Sequence, residues 1–320
     1  MKRLAGIILI IIIIIVLFII GRHVPFGAGN SVFYVEKTER INRIIISNKN
    51  ESVSLTSKPD GWYVNDEHSA RIQAVEFMLR ILKNIRIKSP VSDETYNDLL
   101  NDENTREIEV QVFGDGKIMQ SFFIYMNNKV DYPGIMQKRK RTKPFFVHIP
   151  GYDADPCSHF VSDYRFWIPY TVFGLSPARI SEVHFNYSDI PDSSFSVVNN
   201  GQEITFQSKN YKNEGIDTLA ALRYLSYFTY VPFENWAYDM SANEKVSITE
   251  SNPYFSLEVV TDDADTIKLL TWRMMINDGE RNVEDTDRLW GSLNGGEDLF
   301  IIKYYDLDPL IKQPSYFIIE

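Results

Sequence analysis

The chain begins with an unbroken apolar run and then changes to strand-like alternation. Leu4 to Gly21 is 18 residues without a charge, and ten of the fourteen positions from Ile7 to Ile20 are isoleucine. As a helix, Leu4–Ile20 would cover about 26 Å at ~1.5 Å per residue, slightly short of a ~30 Å hydrocarbon core. β-Branched side chains are mediocre helix formers in water, but in lipid the backbone must satisfy its own hydrogen bonds. Lys2 and Arg3 precede the run, as expected of a cytoplasmic N-terminus. The pattern predicts a single-pass anchor in the inner membrane, with residues 4–21 in lipid and the bulk of the chain periplasmic. The rival reading is a cleaved signal peptide, whose apolar core is normally ~7–15 residues and ends at a small-x-small site. Here the run is longer and Gly27-Ala28-Gly29 lies behind Arg22, His23 and Pro25, which favours the uncleaved anchor.

Beyond residue 30 the same succession of patterns occurs twice. Ile41 to Ser47 and Ile180 to Asn186 both carry apolar residues at alternate places, the period of a half-buried strand. A short strand follows in each copy, around Val53 and Leu55 and around Phe195 and Val197. Next come the turn signals Lys58-Pro59-Asp60-Gly61 and Asn199-Asn200-Gly201, in which Asp-Gly and Asn-Gly supply positive φ cheaply. Returning strands hold Trp62 and Val64, then Ile204 and Phe206. An amphipathic helix is predicted after each hairpin, with Ile72, Val75, Leu79, Leu82 and Ile85 as one apolar stripe and Leu219, Leu222, Leu225 and Phe228 as the other. A polar connector leads to a long hairpin turning at Gly114-Asp115-Gly116 or at Asp262 to Asp265. Last strands lie at Phe145–Ile149 and Leu299–Tyr304. Each unit thus reads β-β-β-α-β-β-β, with mostly antiparallel sheets. The expected class is α+β: a transmembrane anchor and linker (1–30), a first unit (31–174) and a second (175–320).

Charge and composition narrow the function. The 320 residues carry a net charge of −10, which argues against nucleic acid, whose phosphates call for a basic face. A single cysteine, Cys157, excludes an intramolecular disulfide framework and any multi-cysteine zinc site. No Gly-x-Ser-x-Gly elbow and no glycine-rich phosphate loop opening a helix occurs, so no catalytic residue and no cofactor is assigned.

Three segments in order resemble domain-of-unknown-function family 4340: Asp60-Gly61-Trp62-Tyr63-Val64-Asn65, then Arg71 to Val75 leading to Lys88-Ser89-Pro90-Val91, and Pro144 to Gly151. The resemblance implies a single-pass bacterial envelope protein with a repeated α+β ectodomain. It also implies, more weakly, a partner in an ABC-type transporter or gliding-type complex. It supplies no catalytic residues, and Trp167-Ile168-Pro169-Tyr170 stands where its pattern leads one to expect an arginine-containing segment.

Four places could carry chemistry. Lys138-Arg139-Lys140-Arg141, with Lys143, is a basic run at a predicted hairpin tip. It reads either as a docking site for an acidic partner, glycan or lipid headgroup, or as charge that keeps a sheet edge soluble. Trp167 and Tyr170, with Trp236 and Tyr238, could form an aromatic ligand platform; core packing is the blander account. Asp153, Asp155, Cys157 and His159 are chemically able to hold a metal but match no closed pattern, and Asp155 capping a short helix explains them as well. The carboxylates near Asp262 and near Glu284 lack calcium-loop spacing and read as solvated turns. The chain is therefore expected to be non-enzymatic, docking a protein partner in the envelope through Lys138 to Arg141, with a glycan- or ligand-binding module as the alternative and a metal-dependent hydrolase behind it.

Overall fold

Alternation of apolar and polar residues becomes antiparallel sheet nearly everywhere. The computed structural model describes residues 32–127, 133–211, 215–277, 279 and 281–319. These residues fall into two units that divide between Pro169 and Tyr170. The division comes slightly before the expected 174/175 boundary, because Thr171–Phe173 pairs with Val231–Pro232.

The first unit runs β1 (Ile41–Ser47), β2 (Ser52–Lys58), β3 (Gly61–Val64), β4 (His68–Ser69), α1 (Ile72–Asn84), β5 (Arg86–Pro90), α2 (Asp93–Asn101), β6 (Arg106–Gly114), β7 (Lys117–Met126), β8 (Ile135–Gln137) and β9 (Pro144–His148). The strands form one sheet in the order β4-β3-β2-β1-β6-β7-β8-β9-β5. Helix α1 closes one face by burying Val75, Met78, Ile81 and Leu82, each worth roughly 2 kcal/mol when removed from water. They pack with Ile44, Val110, Ile124 and Met136 from the strands. Helix α2 covers part of the opposite face, where Tyr96 and Leu99 meet Tyr125, Ile135 and Phe146. Its start is fixed by Ser92, whose hydroxyl accepts the Thr95 N–H at 3.1 Å, with Asp93 and Glu94 complementing the helix dipole. The β7–β9 region thus has a helix on each side.

The second unit runs β10 (Thr171–Phe173), β11 (Ile180–Tyr187), β12 (Phe195–Asn199), β13 (Ile204–Ser208), α3 (Thr218–Ser226), β14 (Val231–Pro232), β15 (Asn235–Trp236), α4 (Ala242–Thr249), β16 (Phe255–Thr261), β17 (Thr266–Asn277), β18 (Asn282–Leu293), β19 (Phe300–Lys303) and α5 (Tyr304–Leu307). Its main sheet has the order β13-β12-β11-β16-β17-β18-β19-β15. Apart from β4, the first sheet has the same succession, with a short strand beyond the amphipathic helix, β5 in the first unit and β15 in the second, lying at the far edge.

Several expectations are corrected. The transmembrane segment at Leu4–Gly21 lies outside the described residues, and among the described residues no helix is long and apolar enough to cross a membrane. The longest, α1, has 13 residues and exposes Glu76 and Lys83 opposite its buried stripe, the signature of a helix lying on a sheet. A fold class containing one N-terminal membrane helix, and the single-pass inner-membrane location read from it, is therefore not what the structure shows. The architecture is mostly antiparallel sheet. The apolar stripe of α3 is also rotated: Ala220, Ala221, Tyr224 and Leu225 are buried, whereas Leu219 and Leu222 are 72% and 46% exposed. Small alanines let this helix approach its sheet more closely than leucines would. Glu284, Asp285 and Asp287, expected in a turn, sit within the twelve-residue strand β18.

Candidate functional site

The basic run sits at the tip of the β8–β9 hairpin, and the stem beneath it is rigid. All three residues of β8 are buried, between β7 and β9. Gln137, 1% exposed, accepts hydrogen bonds from the Tyr96 hydroxyl at 2.9 Å and the Tyr125 hydroxyl at 3.1 Å. Its own Nε2 donates to the Thr142 carbonyl at 2.7 Å, which ties the far side of the loop to the core. Gly134 immediately before the strand donates its N–H to Asp155 at 2.6 Å. A Cβ there would lie 2.4 Å from the Cys157 Cβ, so only glycine allows this approach.

Above the stem the chain makes one tight turn. The Arg139 carbonyl accepts the Thr142 N–H at 3.0 Å, and the Thr142 hydroxyl donates to the same carbonyl at 2.8 Å while accepting the Arg139 N–H at 3.2 Å. Arg141 occupies the third turn position with φ +72°, a left-handed backbone where glycine is the usual occupant. An L-residue held there costs about 1–2 kcal/mol, and such strain is kept where the surroundings enforce it, often at working surfaces.

The five basic side chains are not equivalent. Lys140 pairs with Glu107 at 2.8 Å and lies 5.3 Å from the Phe123 ring centroid. Lys143 reaches Asp93 at 3.8 Å. Arg139 and Arg141 are exposed, and among the described residues neither has an acidic partner. Lys138 is half-buried; burial, reinforced by the neighbouring Arg139 charge, pushes its ammonium down to about 8. The turn therefore presents two uncommitted guanidinium groups and a lysine whose charge the protein itself does little to stabilise. The sequence identified the charges but not Gln137, Tyr96 and Thr142, which hold them; a glutamine beside a basic run carries no signal of burial.

The aromatic candidates divide. Trp167 is fully buried in the first unit and donates its indole N–H to the Val161 carbonyl at 2.8 Å. The other three do come together in the second unit. Tyr170 stacks on Phe233 at 5.1 Å, its hydroxyl lies 2.9 Å from that of Tyr238, and Trp236 packs edge-on against Phe233 at 4.8 Å and Phe300 at 5.7 Å. Trp236 is only 7% exposed. A sugar platform needs open ring faces, and of the four rings only those of Tyr170 and Tyr238 are half-exposed.

Asp155, Cys157 and His159 are occupied with structure, while Asp153 is exposed. Asp155 caps the short helical turn after it, accepting the Cys157 N–H at 2.9 Å. The Cys157 thiol is fully buried, and burial together with the Asp155 charge raises its pKa well above the usual thiol range. His159 lies 2.9 Å from the Tyr152 hydroxyl, and burial lowers its pKa. Asp153 and Asp155 line an open cleft of about 620 Å³ with Lys88, His148 and Tyr152. Among the described residues no group of three His, Cys, Asp or Glu side chains is arranged to hold a metal ion. His184 is likewise satisfied, by Ser196 at 2.8 Å and Glu182 at 2.9 Å.

Comparison of the chain with protein-family models, with curated proteins and with solved structures finds no match to any of them.

Proposed function

We propose that this chain is a non-enzymatic binding protein that docks an acidic protein partner through the Lys138–Arg141 turn of its first unit. The observation that carries this reading is a rigid turn that holds Arg139 and Arg141 in the open, one of them in a left-handed backbone, in a protein whose net charge is −10. Charge placed only for solubility needs neither a buried anchor such as Gln137 nor a strained arginine. A preformed turn binds with less ordering entropy than a flexible loop. Guanidinium groups suit it, because they grip carboxylates bidentately. The half-buried Lys138 adds a charge that water stabilises only in part and that an arriving carboxylate would stabilise further.

Charge reversal tests the reading. Lys138→Glu with Arg139→Glu alters turn residues outside the core and should lower co-purification of the partner at least tenfold while leaving the circular dichroism spectrum unchanged. Undiminished co-purification with an intact fold refutes the reading.

A further inference from the structure

Charge is divided unequally between the two units. Residues 32–169 hold 19 basic and 19 acidic side chains, whereas residues 170–320 hold 11 basic and 24 acidic, a net of −13. The first unit is neutral and carries the chain's one dense basic run; the second carries all of the excess acid. Many second-unit carboxylates are engaged locally, as Glu234 is by Arg288 at 2.8 Å and Asp263 by Arg179 at 2.6 Å. The excess of acid over base nevertheless leaves a negative field over that unit, the complement of the Lys138–Arg141 turn.

We infer that the partner of the basic turn is a second copy of this chain, whose acidic second unit receives the turn of the first. The inference rests on the docking role proposed for the turn and supplies its occupant. The contact is heterologous, since turn and acidic unit are different surfaces, so each copy both gives and receives; such contacts grow into rings or open chains. Two copies that are each negative repel at long range, but at 0.1 M salt the Debye length is about 10 Å, so the groups in contact decide the energy. An interface built on one turn is small, which makes the association weak and salt-sensitive.

Sedimentation velocity on the full chain, scanned to roughly 300 µM because contacts of this size are weak, tests the inference. At 100 mM NaCl the weight-average sedimentation coefficient should rise with concentration, and at 500 mM NaCl the association should weaken at least tenfold. Arg139→Glu with Arg141→Glu should stay monomeric, because its turn no longer docks. Fluorescently labelled, the same variant should still be recruited by unlabelled wild type, because its acidic unit is intact. Wild type that stays monomeric throughout overturns the inference, as does self-association that survives the double reversal or a labelled variant that wild type ignores. If wild type is monomeric yet charge reversal still abolishes partner co-purification, the docking role stands and only the identity of the occupant falls.

Discussion

Gln137 is where the docking turn is joined to the core, and its replacement has a calculable cost. In Gln137→Leu the side chain keeps nearly its volume but loses three hydrogen bonds, to Tyr96, Tyr125 and the Thr142 carbonyl. Tyr96 and Thr142 are only partly buried and can turn to water. Tyr125 is 2% exposed, and burial already raises its hydroxyl pKa far above the ordinary tyrosine value, so it has little access to water. One orphaned buried hydroxyl costs about 1–3 kcal/mol and the lost bond to Thr142 about 1 more, giving roughly 2–4 kcal/mol for the first unit. Hydrogen exchange at the amides of β7 and β9 reads opening of that unit alone, and should quicken roughly 30- to 900-fold. Tyr125→Phe removes the group that Gln137→Leu orphans, so the double variant should be more stable than the sum of the singles by about 1–2 kcal/mol. Additivity to within about 0.4 kcal/mol, the behaviour of independent sites, would refute the account of Gln137 as the buried acceptor for Tyr125.

Two further substitutions probe the turn itself. Arg141→Gly relieves the left-handed strain at φ +72° against glycine's greater unfolded entropy; the first unit should gain about 0.5–1 kcal/mol, read by the same exchange measurement, while partner affinity falls roughly two- to fivefold for one lost ion pair. Lys138 makes stability depend on pH in a definite direction. Its folded pKa of about 8 lies below the unfolded value of 10.5, so between these values the unfolded chain holds the extra proton and stability rises with pH. Below about pH 8 the buried charge is unfavourable. Lys138→Met should therefore exceed wild type in melting temperature at pH 7, with the gap closing toward pH 10.5; a gap independent of pH contradicts the burial. Partner binding should correspondingly weaken as pH rises through about 8.

How far the sequence foretold this arrangement follows from how local each signal is. Gly61, Gly116 and Gly201 turn with positive φ where Asp-Gly and Asn-Gly announced hairpins, because turn chemistry is written in adjacent residues. The basic run likewise falls at a hairpin tip, between a buried β8 and β9. Less legible was β18, whose first half, Asn282 to Asp287, is polar; it is a strand because β17 pairs with it out to Asn277 and Asn282, a contact its own composition does not disclose. Strand β5 was missed for the same reason: its alternation is faint, and its place at the sheet edge is set by β9. In α3 Leu225 is buried as its period suggests, but packing chose the alanines and Tyr224 over Leu219 and Leu222. The membrane anchor was read from an apolar run outside the described residues, and the helices that are described belong to sheet-covering layers. At the candidate site the charges were visible and the buried Gln137 was not, since its three partners come from α2, β7 and the far side of the turn.

Site-specific photo-crosslinking tests the docking claim most directly. A photoreactive residue replacing Arg139 would report on the turn, and one replacing the exposed Asn200 in the β12–β13 turn of the second unit would serve as the control. The account predicts a discrete protein adduct from position 139, lost at high salt and lost when Lys138 and Arg141 are changed to glutamate, with no such adduct from position 200. No adduct from position 139, or the same salt-resistant adduct from both positions, would contradict it.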